Sequence, residues 1–187
     1  YVKQGIRIFG ITPYPEDYIA HGLDPRDPKN KEAIQDVARF YIKDLKAIVG
    51  AIHVTNEMGV DRFTYPLTME EARDFIGMQL EAMYPERGNI LIGYNLTAQS
   101  LFPYTLPIMM KKYHQYCDYV GMDIYMGCFE PVLKNADQFV TVLGLIRRLT
   151  GKPVILCEFG YIGLGEPKTD KEKKAILQKY GYKSEKE

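Results

Sequence analysis

The sequence predicts one α/β domain built on parallel strands, and three observations predict it. Segments with strand character alternate with helical segments five times along the 187 residues, and such alternation gives parallel strands joined by right-handed crossovers. Two of the strand segments end abruptly on glutamates, Glu57 and Glu158, and the C-terminal end of a strand is where a parallel α/β barrel carries its catalytic groups. No low-complexity linker divides the chain, so residues 1–187 are expected to form a single domain.

The elements follow in order. Gly5–Ile11 reads as the first strand, and Thr12–Asp27, punctuated by Pro13, Pro15 and Pro25, as a loop. Lys31–Val49 carries one apolar stripe from Ile34 to Val49, which predicts a helix closed by Gly50 at C′. Ala51–Glu57 is the second strand, with Ile52 and Val54 on one face and His53, Thr55 and Glu57 on the other. Thr68 with Glu71 three residues on is a capping box, opening a helix to about Tyr84. Asn89–Asn95 is the third strand, about Leu106–Tyr116 a less regular helix, and Asp118–Tyr125 the fourth strand. Asn135 opens a helix closed by Gly151. Val154–Cys157 is a short apolar run, the pattern of a strand buried on both faces, and it stops on Glu158. A carboxylate there is costly unless paired or used. Thr169 and Glu172 form a second capping box before a Lys-rich helix.

Composition narrows the function. The formal net charge is zero, so neither nucleic acid nor an anionic membrane surface is an expected partner. No apolar run is long enough to span a bilayer. No signal peptide is expected in this stretch, which leaves secreted and cytoplasmic locations both open. Cys117, Cys128 and Cys157 have no metal-ligand or disulfide spacing and read as buried free thiols. His21, His53 and His114 are scattered, so no metal site and no cofactor is expected.

Two architectures compete at this point. An open doubly wound sheet suits the length, because a whole (β/α)₈ barrel needs roughly 250 residues. The absence of a Gly-rich phosphate loop after any strand weakens the nucleotide-binding version of that sheet.

Three strand ends together resemble the clan A glycoside hydrolases, (β/α)₈-barrel retaining glycosidases. Thr55-Asn56-Glu57 looks like the Asn-Glu pair ending their fourth strand, Tyr119–Tyr125 (YVGMDIY) like the sixth, and Val154–Gly160 (VILCEFG) like the seventh with its terminal Glu. One strand-helix unit, Asn89–Tyr116, separates the first two, as that order requires. The resemblance implies a partial (β/α)₈ TIM barrel, about strands three to seven, covering Gly5 to about Gly181. It implies hydrolysis of a β-linked glycosidic bond by double displacement, with Glu57 as general acid/base and Glu158 as nucleophile. Asn56 would hold the sugar 2-hydroxyl, and Tyr125 would hydrogen-bond Glu158. Asp123 is a further sugar ligand, or else a structural hydrogen-bond partner. Strands one, two and eight have no counterpart, so the missing strands are expected from additional chain or another copy. The sixth strand has Asp123-Ile124-Tyr125 where many members carry His-x-Tyr.

Other residues carry weaker readings. His53 is expected to be a barrel-interior residue. Arg7 could neutralise interior carboxylates. Tyr14, Tyr18, Tyr65, Phe102, Tyr104, Phe129 and Tyr161 follow strand ends and could stack on sugar. The rival functions are a catalytically inactive barrel fragment or carbohydrate-binding protein, and an open-sheet enzyme whose carboxylates hold a divalent cation.

Overall fold

The computed structural model describes residues 2–97, 105–126, 136–161 and 169–180. Within them the five expected strands form one sheet. They are β1 (Ile8–Ile11), β2 (Val49–His53), β3 (Leu91–Thr97), β4 (Tyr119–Met126) and β5 (Val154–Tyr161). They pair in chain order and every pair is parallel. This is the curled half of a TIM-type barrel, with β1 and β5 as its edges.

The helices are α1 (Pro15–Ala20), α2 (Lys31–Leu45), α3 (Asp61–Thr64), α4 (Met69–Met83), α5 (Thr105–Met109), α6 (Ala136–Thr150) and α7 (Asp170–Tyr180). A 3-10 stretch over Met110–Tyr116 extends α5. The capping box at α4 is present in full: Thr68 Oγ1 accepts from the Glu71 N–H, and Glu71 Oε2 accepts from the Thr68 N–H at 2.8 Å. At α6, Gly151 takes the left-handed conformation (φ 68) that closes a helix, its N–H donating to the Arg147 carbonyl. Asn135, expected to cap α6, lies outside the described residues.

The core sits on the convex side. Ile52, Ile92, Tyr94, Leu96, Val120, Met122 and Ile124 project there and meet Ile34, Ala38 and Ile42 of α2 and Phe75, Ile76 and Leu80 of α4, all buried. The alternate strand positions line the concave side, which is open: Phe9 is 42% exposed and Leu91 46%. Apolar side chains thus cover the convex face, while the concave face mixes Phe9, Leu91 and Tyr119 with the polar, buried His53, Asn95 and Asp123.

Several expectations are corrected. Helix α2 ends at Leu45, so Gly50 is a strand residue. A Cβ there would come within 2.9 Å of the Arg7 Cβ, so the glycine serves the close approach of two strands. Arg7 is exposed and donates to the Lys46 carbonyl, away from the interior carboxylates. The loops after β1 and β2 are not wholly irregular: Pro15 starts α1 and Asp61 starts α3. Cys117 is a buried free thiol as expected and Cys157 is half-buried, while Cys128 lies outside the described residues. Burial pushes both described thiols up to about 12.

Candidate active site

The residues after β2 do not continue the strand. Thr55 and Glu57 both adopt left-handed backbone (φ 63 and 39), a conformation costing about 1–3 kcal/mol for a non-glycine residue. The surrounding chain clamps this crank from two sides. On the β1 side, Thr12 Oγ1 accepts from the Thr55 N–H at 3.0 Å. On the β3 side, Asn95 Oδ1 accepts from the Glu57 N–H at 2.7 Å, and the Asn95 carbonyl accepts from the Met58 N–H at 3.0 Å. Simple alternation from His53 therefore does not describe residues 55–57.

Asn95 is the hub of the site. Its Nδ2 donates to Asn56 Oδ1 at 3.1 Å and to Asp123 Oδ2 at 2.6 Å. With Asn56 Oδ1 so engaged, the side chain's rotamer is fixed. In the sequence Asn95 shows only as the polar last residue of the expected third strand. The signal was there: like Asn56, it is a polar residue closing an apolar run, and it shares a face with Gly93 and Thr97.

Asp123 is 0% exposed. Burial raises its pKa to about 7, with the negative charges of Glu158 and Glu57 adding to the shift and the Glu158 N–H and Asn95 amide opposing it. Among the described residues its Oδ1 meets no hydrogen-bond partner. Asp123 Oδ2 is the hydrogen-bond partner of Asn95.

Glu158 reaches the concave face through a register shift. Met122 pairs with Leu156, and the next residue, Asp123, pairs with Glu158, so Cys157 is the extra residue of a bulge. The Tyr125 hydroxyl donates to Glu158 Oε2. That bond is the first cause of the rise in the Tyr125 pKa to about 12, followed by burial and by the charges of Glu158, Asp123 and Glu57. Gly160 makes the bond possible. A Cβ on Gly160 would lie 2.6 Å from Tyr125 Cδ1 and 2.9 Å from Cε1, so the tyrosine ring rests on bare backbone.

The carboxylates of Glu57 and Glu158 act on the same neighbours. Both raise the pKa of Tyr14 as well, after burial and Asp17, against the opposing charge of Arg62. His53 is an interior residue, 3% exposed, its ring 5.3 Å from that of Phe9. Burial pushes its pKa down to about 4, a hydrogen bond with the Asn56 side chain opposing.

Among the stacking candidates, Tyr18 is a core residue: it is buried, and its hydroxyl donates to Gln79 Oε1 at 3.1 Å. Tyr14 and Tyr65 line a cleft. Phe102, Tyr104, Phe129 and the Tyr161 side chain lie outside the described residues.

Parallel strands curled into half a barrel, with polar side chains gathered at their C-terminal ends, place the chain in the class of TIM-type α/β barrels. Solved structures it resembles include β-glycosidases. A β-glucosidase mutant derived from a hyperthermophilic tetrameric structure is 14% identical, with 95% of this chain and 54% of that one covered and a TM-score of 0.54. A β-glucosidase from Exiguobacterium marinum is 15% identical, with 95% and 62% covered and a TM-score of 0.53. A β-D-glucuronidase from Dictyoglomus thermophilum is 18% identical, with 83% and 26% covered and a TM-score of 0.52. At such identities the likeness is one of fold. The chain spans about half the length of the first of these structures. No family model and no curated protein matches the sequence.

Proposed function

We propose that the chain is the catalytic half-barrel of a retaining β-glycosidase. The observation that carries the reading is the hydrogen bond from Tyr125 to Glu158, on the same concave face as an Asn56-Glu57 pair held by Asn95. Nucleophilic attack needs an oriented carboxylate, and a tyrosine hydroxyl donating to it fixes its position.

The reaction runs in two displacements. Glu158 attacks the anomeric carbon while Glu57 gives its proton to the leaving oxygen, and the glycosidic C–O bond breaks. Glu57, now a carboxylate, takes a proton from water, whose oxygen displaces Glu158 and frees the sugar with its configuration retained. Asn56 donates from its amide nitrogen to the sugar 2-hydroxyl, since its oxygen is already occupied by Asn95. Asp123 holds Asn95 from below. Retention calls for carboxyls about 5–5.5 Å apart.

The exposed apolar side chains at the edges, Ile8 and Phe9 on β1 and Leu156 and Phe159 on β5, fit closure by further strands, from additional chain or another copy. The deciding experiment is azide rescue. Glu158→Ala should abolish hydrolysis of an aryl β-glycoside, and added azide should restore it with an α-glycosyl azide as product. An NMR time course showing the α-sugar first from the unmutated protein would end the retaining mechanism. Sugar retention with no hydrolysis would instead favour a carbohydrate-binding half-barrel.

A further inference from the structure

Away from the concave face, the helical segment Thr105–Tyr116 is tied to the rest of the chain at two successive residues. Tyr113 is the anchor on α4. Its hydroxyl donates to Asp74 Oδ1 at 2.9 Å, and its ring lies on the bare backbone of Gly77, where a Cβ would overlap it. His114 is the anchor on β3. Its Nε2 lies 3.0 Å from the Tyr94 hydroxyl, and the two rings are stacked 5° from parallel. Tyr94 is 0% exposed and His114 8%. Among the described residues the Tyr94 hydroxyl makes no other hydrogen bond. Donation of its one hydrogen to Nε2 satisfies this buried group, and it requires the neutral His114 tautomer that carries its proton on Nδ1. Tyr94 adjoins Asn95 on β3, so this bond lies directly behind the strand position that holds Asn56 and Glu57.

The two anchors differ in their response to acid. Hydrogen bonds from Arg73, and then from Lys112 and Tyr113, hold the Asp74 carboxyl well below the usual carboxylate range against the opposing effect of burial. The α4 anchor therefore keeps its acceptor in mild acid. His114 is placed the other way. Burial lowers its pKa, and the charges of Lys152 and Lys111 lower it further. Lys152 is fixed there, its Nζ donating to the Cys117 carbonyl at 2.7 Å. Burial keeps the neighbouring Tyr94 hydroxyl and Cys117 thiol neutral. Asp118, the carboxylate nearest in sequence, is taken up by Arg87 at 2.9 and 3.2 Å. An imidazolium at His114 thus meets two like charges and no free counter-charge. It also has no lone pair on Nε2, so the Tyr94 hydrogen loses its acceptor inside the core.

We propose that the Tyr94–His114 bond is an acid-sensitive latch, which frees the segment Thr105–Tyr116 from β3 while Tyr113 keeps it on α4. The latch works whatever the reaction on the concave face. Native-state amide hydrogen exchange across pH tests it, with opening constants corrected for the intrinsic exchange rate. A released His114 takes up its proton near its usual pKa of about 6.5, and the latched one does not. As pH falls below that value, the opening constant of residues 105–116 should rise by up to about tenfold for each unit of pH, the limit for one proton. Amides of α4 and β3 should not follow that rise. His114→Gln keeps an acceptor for Tyr94 and cannot titrate, so it should abolish the rise. Tyr94→Phe removes the bond and leaves the histidine. It should open the segment about two- to tenfold more at pH 7.5, the scale of one hydrogen bond, and shrink the further increase in acid. In the unmutated protein, the ¹⁵N signals of His114 at pH 7.5 should show Nε2 without a proton. A proton on Nε2 overturns the latch. So does an acid rise that persists in full in His114→Gln or Tyr94→Phe, or one shared equally by α4 and β3, which would be global unfolding. Should His114→Gln fail to fold, Tyr94→Phe and the ¹⁵N signals decide.

Discussion

Asp123 on β4 stands opposite Glu158 on β5, one residue past the bulge at Cys157. Without the extra residue, Asp123 would face Cys157, and Glu158 would pair with Ile124, whose side chain is buried on the convex side. The bulge thus turns a carboxylate that strict alternation would send toward the helices into the concave face. Cys157 remains on that face too: its sulfur would lie 2.6 Å from a Cβ added to Gly121, on the concave face of β4. Two successive concave-facing side chains are what a bulge permits and a regular strand does not.

Glu158 orientation should depend on Tyr125 and, through it, on Gly160. Tyr125→Phe removes one hydrogen bond to a charged group, worth about 1.5–3 kcal/mol, so turnover should fall about tenfold to a hundredfold with the fold intact by circular dichroism. Gly160→Ala should reproduce much of that loss, because the new methyl meets the Tyr125 ring. In the Tyr125→Phe background, Gly160→Ala should add little, since the hydroxyl it would misplace is gone. Independent, multiplying losses in the double variant would refute the platform role of Gly160.

Asn95 should matter more than its distance from the chemistry suggests. Asn95→Ala strips partners from Asn56 Oδ1, Asp123 Oδ2 and the Glu57 N–H at once. Each buried group left unmade costs about 1–3 kcal/mol, so the variant should unfold at distinctly lower urea concentration. Asn95→Asp keeps the acceptor for the Glu57 N–H but sets a second carboxyl against Asp123. Its stability should recover in acid, where one proton can be shared between the two, and fall steeply above neutrality. Denaturant midpoints for both variants across pH separate this from a plain packing role, which would show no pH dependence.

Strand order and parallel sense were legible in the sequence because alternation with helices leaves little topological choice. The α4 cap was legible because Thr68 and Glu71 satisfy each other locally. The end of α2 was not: the apolar stripe runs on through Ile48 and Val49, and only the pairing of Val49 with Ile8 shows that β2 has begun. The crank at Thr55–Glu57 and the bulge at Cys157 were also hidden. Neither carries a glycine, and each is held by long-range partners: Thr12 and Asn95 for the first, β4 for the second. The glutamates were legible as strand-end carboxylates, whereas Asn95 and Gly160 acquire meaning only once neighbouring strands are in place.

The pH dependence of folding should carry two opposed signatures from the concave face. Asp123 has a folded pKa of about 7 against its usual 3.8. Between those values the folded state holds a proton that the unfolded state has lost, so stability falls as pH rises from about 4 to about 7. His53 has a folded pKa of about 4 against its usual 6.5. In that window the unfolded state holds the extra proton, so stability falls as pH drops from about 6.5 to about 4. The two slopes oppose each other over the shared range and flatten the profile of the unmutated protein. Asp123→Asn keeps an acceptor for Asn95 and removes the first slope, so it should stabilise the protein at pH 8 relative to pH 4 by on the order of 2–4 kcal/mol. His53→Phe removes the second slope, and it should raise stability at pH 4.5 relative to pH 7. Urea unfolding of both variants from pH 4 to pH 8.5 measures the slopes. An Asp123→Asn profile parallel to that of the unmutated protein would mean that Asp123 is ionised throughout and that burial beside Glu57 and Glu158 does not hold its proton.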